Sequence, residues 1–255
     1  MIILNGDEDM ESLYDLRDPE VWETFSRQKE ELGQLLKPTG LAVWDKLFGG
    51  IMLGTVGAVA STTGGGKSKF LRAMAKQLSR KYDEVILYIT IEQSPLLASE
   101  KFKEGDKVLL YYMEDLKQWE EVEQIVQKYN VRFVMYDYIG ALCGDGESEW
   151  SALKKDAARL NTFASKYNVA IMTALQATFE LLDVEDERNT IRNTKYVSFS
   201  KNMINAFSQA IYLINKPKQQ PKISTLKNRY GEILIEVPSL NLNYSTEEFE
   251  DNPAW

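Results

Sequence analysis

The 255-residue chain contains no histidine and a single cysteine, Cys143. Without a second cysteine no disulfide forms within the chain. Without histidine, a His-based catalytic triad has no base and an ordinary zinc site lacks its usual ligands. A metal here would have to be held by oxygen, which points to hard ions such as Mg²⁺. The chain also lacks any apolar run near the roughly 20 residues of a membrane span, and nothing after Met1 has the pattern of a secretory leader. These absences point to a cytoplasmic protein with no membrane partner. An excess of positive charge is missing too: 30 Lys and Arg against 38 Asp and Glu leave a net charge of −8. That balance argues against broad attraction to nucleic acid and leaves a local basic channel as the route to DNA. Composition is otherwise ordinary for a globular chain, with 44% hydrophobic residues.

Along the chain, Asp18-Pro19-Glu20 reads as a helix start, with Asp at the cap and Pro in the first turn. Val21, Trp22, Phe25, Leu32, Leu35 and Leu36 form an apolar stripe over 19–36. That helix either packs on its own domain or docks on a neighbouring subunit. Beyond Lys37-Pro38-Thr39-Gly40 the rhythm alternates. Strand-like apolar runs lie at 56–60, 84–92, 107–113, 131–139, 169–175 and 209–215, and helical patterns at 68–78, 114–129 and 149–167. The segment 222–237 reads as a hairpin turning near Tyr230-Gly231. Such alternation predicts an α/β fold with a mostly parallel twisted sheet flanked by helices on both faces.

Between the first strand and its helix stands Ser61-Thr62-Thr63-Gly64-Gly65-Gly66-Lys67-Ser68. This fits the phosphate-binding loop G-x-x-x-x-G-K-[ST] with Ser61 in place of the first glycine. Glycines let backbone N–H groups close around a phosphate, and the following helix aims its N-terminus at the charge. Lys67 would reach the β/γ-phosphates, and the Ser68 hydroxyl would be a Mg²⁺ ligand. Asp137 ends the run "RFVMYD" and suits a carboxylate holding Mg²⁺ through water. Glu92 ends "VILYITIE" and suits a base that polarises an attacking water. Each acid can instead cap the helix that follows. Gln176, at the end of "IMTAL", faces the crevice where open α/β sheets bind ligands and would sense a terminal phosphate. Lys227 and Arg229 in "LKNRYG" are either a solvated basic face or cations that act on nucleotide held by an adjacent subunit.

The series "PTGLAVWDKLFGG", "ASTTGGGKS", "ITIEQS", "VMYDYIG", "IMTALQAT" and "LKNRYG", spanning residues 38 to 238, resembles the RecA-like ATPase domain of DnaB-type replicative helicases, the phage versions in particular. The resemblance implies a P-loop NTPase core using ATP and Mg²⁺. It makes Lys67 and Ser68 the Walker-A pair, Glu92 the catalytic glutamate and Asp137 the Walker-B aspartate. Gln176 becomes the strand-end glutamine, and Lys227 and Arg229 the lysine sensor and arginine finger that act across a subunit interface. It further implies a homo-hexameric ring on single-stranded DNA, an N-terminal linker helix that grips the next subunit, and a primase or helicase loader as partner. For a phage-encoded chain the compartment is the host cytoplasm.

The expected organisation is an arm and linker helix at 1–37, the ATPase domain with its C-terminal β-hairpin at 38–240 and an acidic tail at 241–255. Only 37 residues precede the ATPase region, which implies a short form without the amino-terminal domain of many members. The loop "GALCGDGESEW" after Asp137 is acidic where a DNA-facing loop is expected to be neutral or basic. Arg188, Arg192, Lys195 and Lys201 are therefore the DNA-contact candidates, or else part of a solvated loop. Two further readings compete with the helicase: a RecA/RadA-like recombinase or annealing-linked filament, and an ATPase that assembles another replication protein.

Overall fold

The computed structural model describes residues 35–115, 118–140, 148–198, 201–233, 236–243 and 245–249, with Pro19, Glu20, Trp22, Glu23 and Arg27. Val21, Phe25 and Leu32 of the 19–36 stripe, and the acidic loop 141–147 with Cys143, lie outside the described residues. So do the side chains of Trp150 and Lys201. The chain divides into two units, Met1–Leu36 and Lys37–Trp255, and the second carries the sheet.

In chain order this second unit runs α1 (Ala42–Phe48), β1 (Val56–Ser61), α2 (Lys67–Tyr82), β2 (Ile86–Thr90), α3 (Pro95–Ser99) and β3 (Val108–Tyr112). It continues with α4 (Trp119–Tyr129), β4 (Phe133–Asp137), α5 (Glu149–Tyr167), β5 (Ala170–Gln176), β6 (Gln209–Ile214) and β7 (Lys222–Asn228). A small pair, β8 (Leu242–Asn243) and β9 (Glu248–Phe249), closes it.

Seven strands form one sheet in the order β3-β2-β4-β5-β1-β6-β7. Every neighbouring pair is parallel except β6 with β7. Period-two alternation sends successive side chains to opposite faces. On β4, Phe133 stacks on Tyr82 of α2, with ring centroids 5.4 Å apart, while Tyr136 meets Trp119 of α4 at 5.7 Å. One strand thus buries two layers, which is why its run is apolar throughout.

The C-terminal hairpin differs from the sequence expectation. Residues 222–228 are one arm of a hairpin, but its other arm precedes them in the chain. They pair with β6, Lys222 opposite Ile214 and Asn228 opposite Gln209, so the turn lies at 215–221. Within the segment read as an acidic tail, Leu242–Asn243 pairs antiparallel with Glu248–Phe249, and the Phe249 ring meets that of Phe70 on α2 at 5.6 Å.

Candidate nucleotide site

Parallel strands carry β1, β4 and β5 to one end of the sheet, and a cavity of about 500 Å³ opens there. Its wall includes Thr63, Gly64, Gly66, Lys67 and Ser68, with Glu92 from beyond β2, Asp137 from β4 and Gln176 from β5. β5 lies between the strands of Ser61 and Asp137, so the loop and the carboxylate face each other across Gln176.

The loop follows from its glycines. Gly64 has φ +71° with open space where a Cβ would stand, and Gly66 has φ +98° at the N-cap of α2. Gly65 is constrained differently. Ser61 is fully buried and its Oγ donates to the Leu213 carbonyl at 2.6 Å. A Cβ on Gly65 would fall 2.2 Å from that Oγ. The serine that replaces the motif's first glycine therefore makes Gly65 obligatory. Gly65→Ala is expected to expel the Ser61 hydroxyl from its buried bond and to cost about 1–3 kcal/mol of stability, read by urea unfolding. Ser61→Gly in the same chain should recover part of that loss.

Lys67 is half-buried, and its Nζ donates to the carbonyls of Ser61 (3.1 Å) and Thr62 (2.9 Å) and to Gln176 Oε1 (3.1 Å). Burial lowers its pKa below the ordinary 10.5, while the carboxylates of Asp137 and Glu92 oppose the shift. The Gln176 amide also donates to Thr63 Oγ1 at 2.7 Å, bridging lysine and loop. Its own carbonyl accepts from the Ser198 N–H at 2.9 Å, which ties the 194–198 segment to this strand end.

Asp137 is buried, and its Oδ2 accepts from the Tyr88 hydroxyl at 2.6 Å. Burial and that carboxylate push the Tyr88 pKa well above its usual value, so the phenol stays a donor. Glu92 is exposed and lies two residues past the end of β2 at Thr90, in a bend closed by Thr90 and Gln93. The expected strand end falls two residues too late because the Thr90 side chain bonds the Gln93 backbone and turns the chain. The donors at the cavity, the Ser68 hydroxyl and the Asp137 carboxylate, are hard oxygens of the type Mg²⁺ prefers.

Sequence reasoning missed three contributors. Arg72 and Gln93 line the cavity and touch each other, Arg72 Nη1 donating to Gln93 Oε1 at 3.3 Å. Asp156 of α5 is buried and accepts from the Gly140 N–H at 3.0 Å and the Tyr136 hydroxyl at 3.2 Å, pinning the turn after Asp137. The recurrence of Arg72 with Lys76 and Arg80 at four-residue spacing, one cationic face on a helix that is largely buried, is a signal for the first of these. Asp156 gives none, being one acid in a charged helix.

Lys227 and Arg229 lie outside the cavity. β7 runs antiparallel, so its Asn228 end pairs with Gln209, which sits beside Gly57 at the opposite end of the sheet from the loop. Lys227 donates to the carbonyls of Ile204 (3.2 Å) and Asn205 (3.0 Å), and Arg229 to that of Asn205 at 3.3 Å. Within one chain they do not reach the phosphate loop. Of the DNA candidates, Arg188 is paired with Asp186 at 2.8 Å. Arg192 and Lys195 are exposed, Lys195 over the Tyr196 ring at 4.6 Å. Beside them an open hollow is lined by Glu180, Asp183, Glu185 and Asp186.

No family model matches this chain, and no curated protein matches it. Among solved structures it is similar to one titled "ATPase Domain of G40P", with a TM-score of 0.72 over 91% of this chain and 98% of that one. The fold is RecA-like. Identity between the two chains is 16%, so the likeness concerns architecture. The RecA-like core accounts for the cavity's position, at the carboxyl ends of the strands where open sheets bind ligands. Among the described residues no helix is long and apolar enough to cross a membrane.

Proposed function

We propose that this chain is an ATP-driven motor of the DnaB helicase type, which assembles into a ring and moves on single-stranded DNA by hydrolysing ATP at subunit interfaces. The observation that carries the reading is the Lys67–Gln176–Thr63 bridge, set in one cavity with Asp137 and Glu92. Those are the parts phosphoryl transfer to water requires: a cradle, a lysine, an oxygen site for a divalent cation, and a base for water. The likeness to a domain titled as an ATPase supports the same reading.

In this scheme the α2 N-terminus and the loop amides bind the β-phosphate, and Lys67 exchanges its carbonyl partners for phosphate oxygens. Ser68 and Asp137 would hold Mg²⁺, which neutralises phosphate charge when bound. Tyr88 fixes one Asp137 oxygen so that the carboxylate presents a single orientation. Glu92, exposed on its bend, takes a proton from the attacking water. Gln176 makes or breaks its Lys67 and Thr63 bonds with the terminal phosphate, and through Ser198 the change reaches the segment bearing Lys195. The stabilising cation at the leaving charge is Arg229 of a neighbouring subunit, with Lys227 beside it.

ATP hydrolysis measured with and without single-stranded DNA tests the proposal. Stimulation by DNA together with unwinding of a forked duplex is expected, and ATPase activity indifferent to DNA would oppose it. Arg192→Glu/Lys195→Glu should weaken single-strand binding and reduce its salt slope by about 1.4, since each cation removed leaves one phosphate un-neutralised. An unchanged slope in a salt titration would move the DNA path away from this segment.

A further inference from the structure

Three cations on α2, Arg72, Lys76 and Arg80, recur four residues apart and so occupy one helix face. The β8–β9 hairpin answers all three. Glu247, 3% exposed in the turn, binds the Arg72 guanidinium at both carboxylate oxygens, with Nη2 to Oε1 at 3.0 Å. The Thr246 carbonyl accepts from Lys76 at 2.9 Å, and Glu248 accepts from Arg80 at 2.9 Å. Arg72 is itself 4% exposed, and its remaining amino group reaches Gln93, next to Glu92, in the wall of the nucleotide cavity. Asp137, held by the Tyr88 hydroxyl, lines the same cavity as Arg72.

We propose that Glu247 is a positioning residue for the nucleotide site: it neutralises and orients Arg72, so that Asp137 stays available to a divalent cation and Gln93 holds the bend carrying Glu92. The proposal rests on the nucleotide-hydrolysing reading of the cavity. Its physical basis is competition. A buried guanidinium that loses its carboxylate keeps its charge and turns to another anion, and Asp137 lines the same cavity as Arg72. The C-terminal hairpin is then part of the catalytic apparatus, although it acts only through Arg72.

Binding of a fluorescent ATP analogue, titrated in EDTA and in excess Mg²⁺, tests this on the full chain. Wild type should tighten on adding Mg²⁺. Glu247→Gln should lose most of that gain while keeping its affinity in EDTA within about twofold, a difference under 0.5 kcal/mol. Glu248→Gln, which loosens the hairpin at Arg80 and Lys103 but leaves the Arg72 pair intact, should keep the gain. A Glu247→Gln protein with the wild-type gain overturns the proposal, as does equal loss of affinity in both buffers or loss of the gain in Glu248→Gln. If circular dichroism shows Glu247→Gln unfolded, the charge-free Arg72→Met/Glu247→Met pair decides. Its kcat should fall about tenfold with KM unchanged, because Gln93 is then without its partner; wild-type kcat overturns the proposal. Absence of binding by wild type in both buffers would instead remove the nucleotide reading itself.

Discussion

Lys67→Ala is expected to lower ATP hydrolysis by about 10²–10³-fold, the usual consequence of deleting one pre-aimed donor to developing charge. Unwinding should vanish with it. The ammonium joins the Ser61 and Thr62 carbonyls to Gln176, at 2.9 to 3.1 Å. Alanine therefore removes the proposed phosphate ligand and frees the Gln176 side chain together. Lys67→Arg should not rescue it, since a planar guanidinium is wider than an ammonium and cannot reproduce three convergent bonds. Circular dichroism and ring assembly should stay near wild type, because the side chain is only half-buried. Steady-state phosphate release checks the rate, and a variant retaining a tenth of wild-type turnover would contradict this role.

Arg229→Ala should reduce turnover of the assembled protein by about 10³-fold, in the range of an arginine finger supplied in trans, with nucleotide affinity unchanged. The guanidinium is exposed and stands at the sheet end opposite the loop, so its own chain offers it no phosphate. Its bond to the Asn205 carbonyl, at 3.3 Å, is readily given up to a neighbour's nucleotide. The two variants should complement. Mixing Lys67→Ala with Arg229→Ala subunits creates some interfaces with an intact loop on one side and an intact cation on the other. Turnover in the mixture above that of either variant alone is the expected result. No recovery at any ratio would place the cation's role within one chain or remove it.

Much of the architecture is legible in the sequence because buried parallel strands must be apolar on both faces. "VILYIT" and "FVMYD" have no other stable use, and the glycine run before Lys67 marks a close backbone approach. Legibility fails where pairing is not local. The run "ILIEV" looks like the return arm of a hairpin, yet β7 finds its partner earlier, in β6. Glu92 reads as a strand end because nothing local shows the Thr90 side chain capturing Gln93. Arg72, Lys76 and Arg80 are readable as one helix face, but the Glu247 that answers Arg72 lies 175 residues away. Their long separation hides this pairing behind a segment that reads as an acidic tail. Ser61 reads as a mild departure from the loop motif. Its buried bond to Leu213 gives it a structural reason that only the folded sheet supplies.

The most direct measurement is the rate of ATP hydrolysis per protomer as the protein is diluted through the range where assemblies dissociate, with mass followed in parallel. Turnover per protomer is expected to collapse as the assembly comes apart, because each loop is then deprived of the Arg229 of its neighbour. Undiminished turnover by isolated protomers would contradict hydrolysis at subunit interfaces.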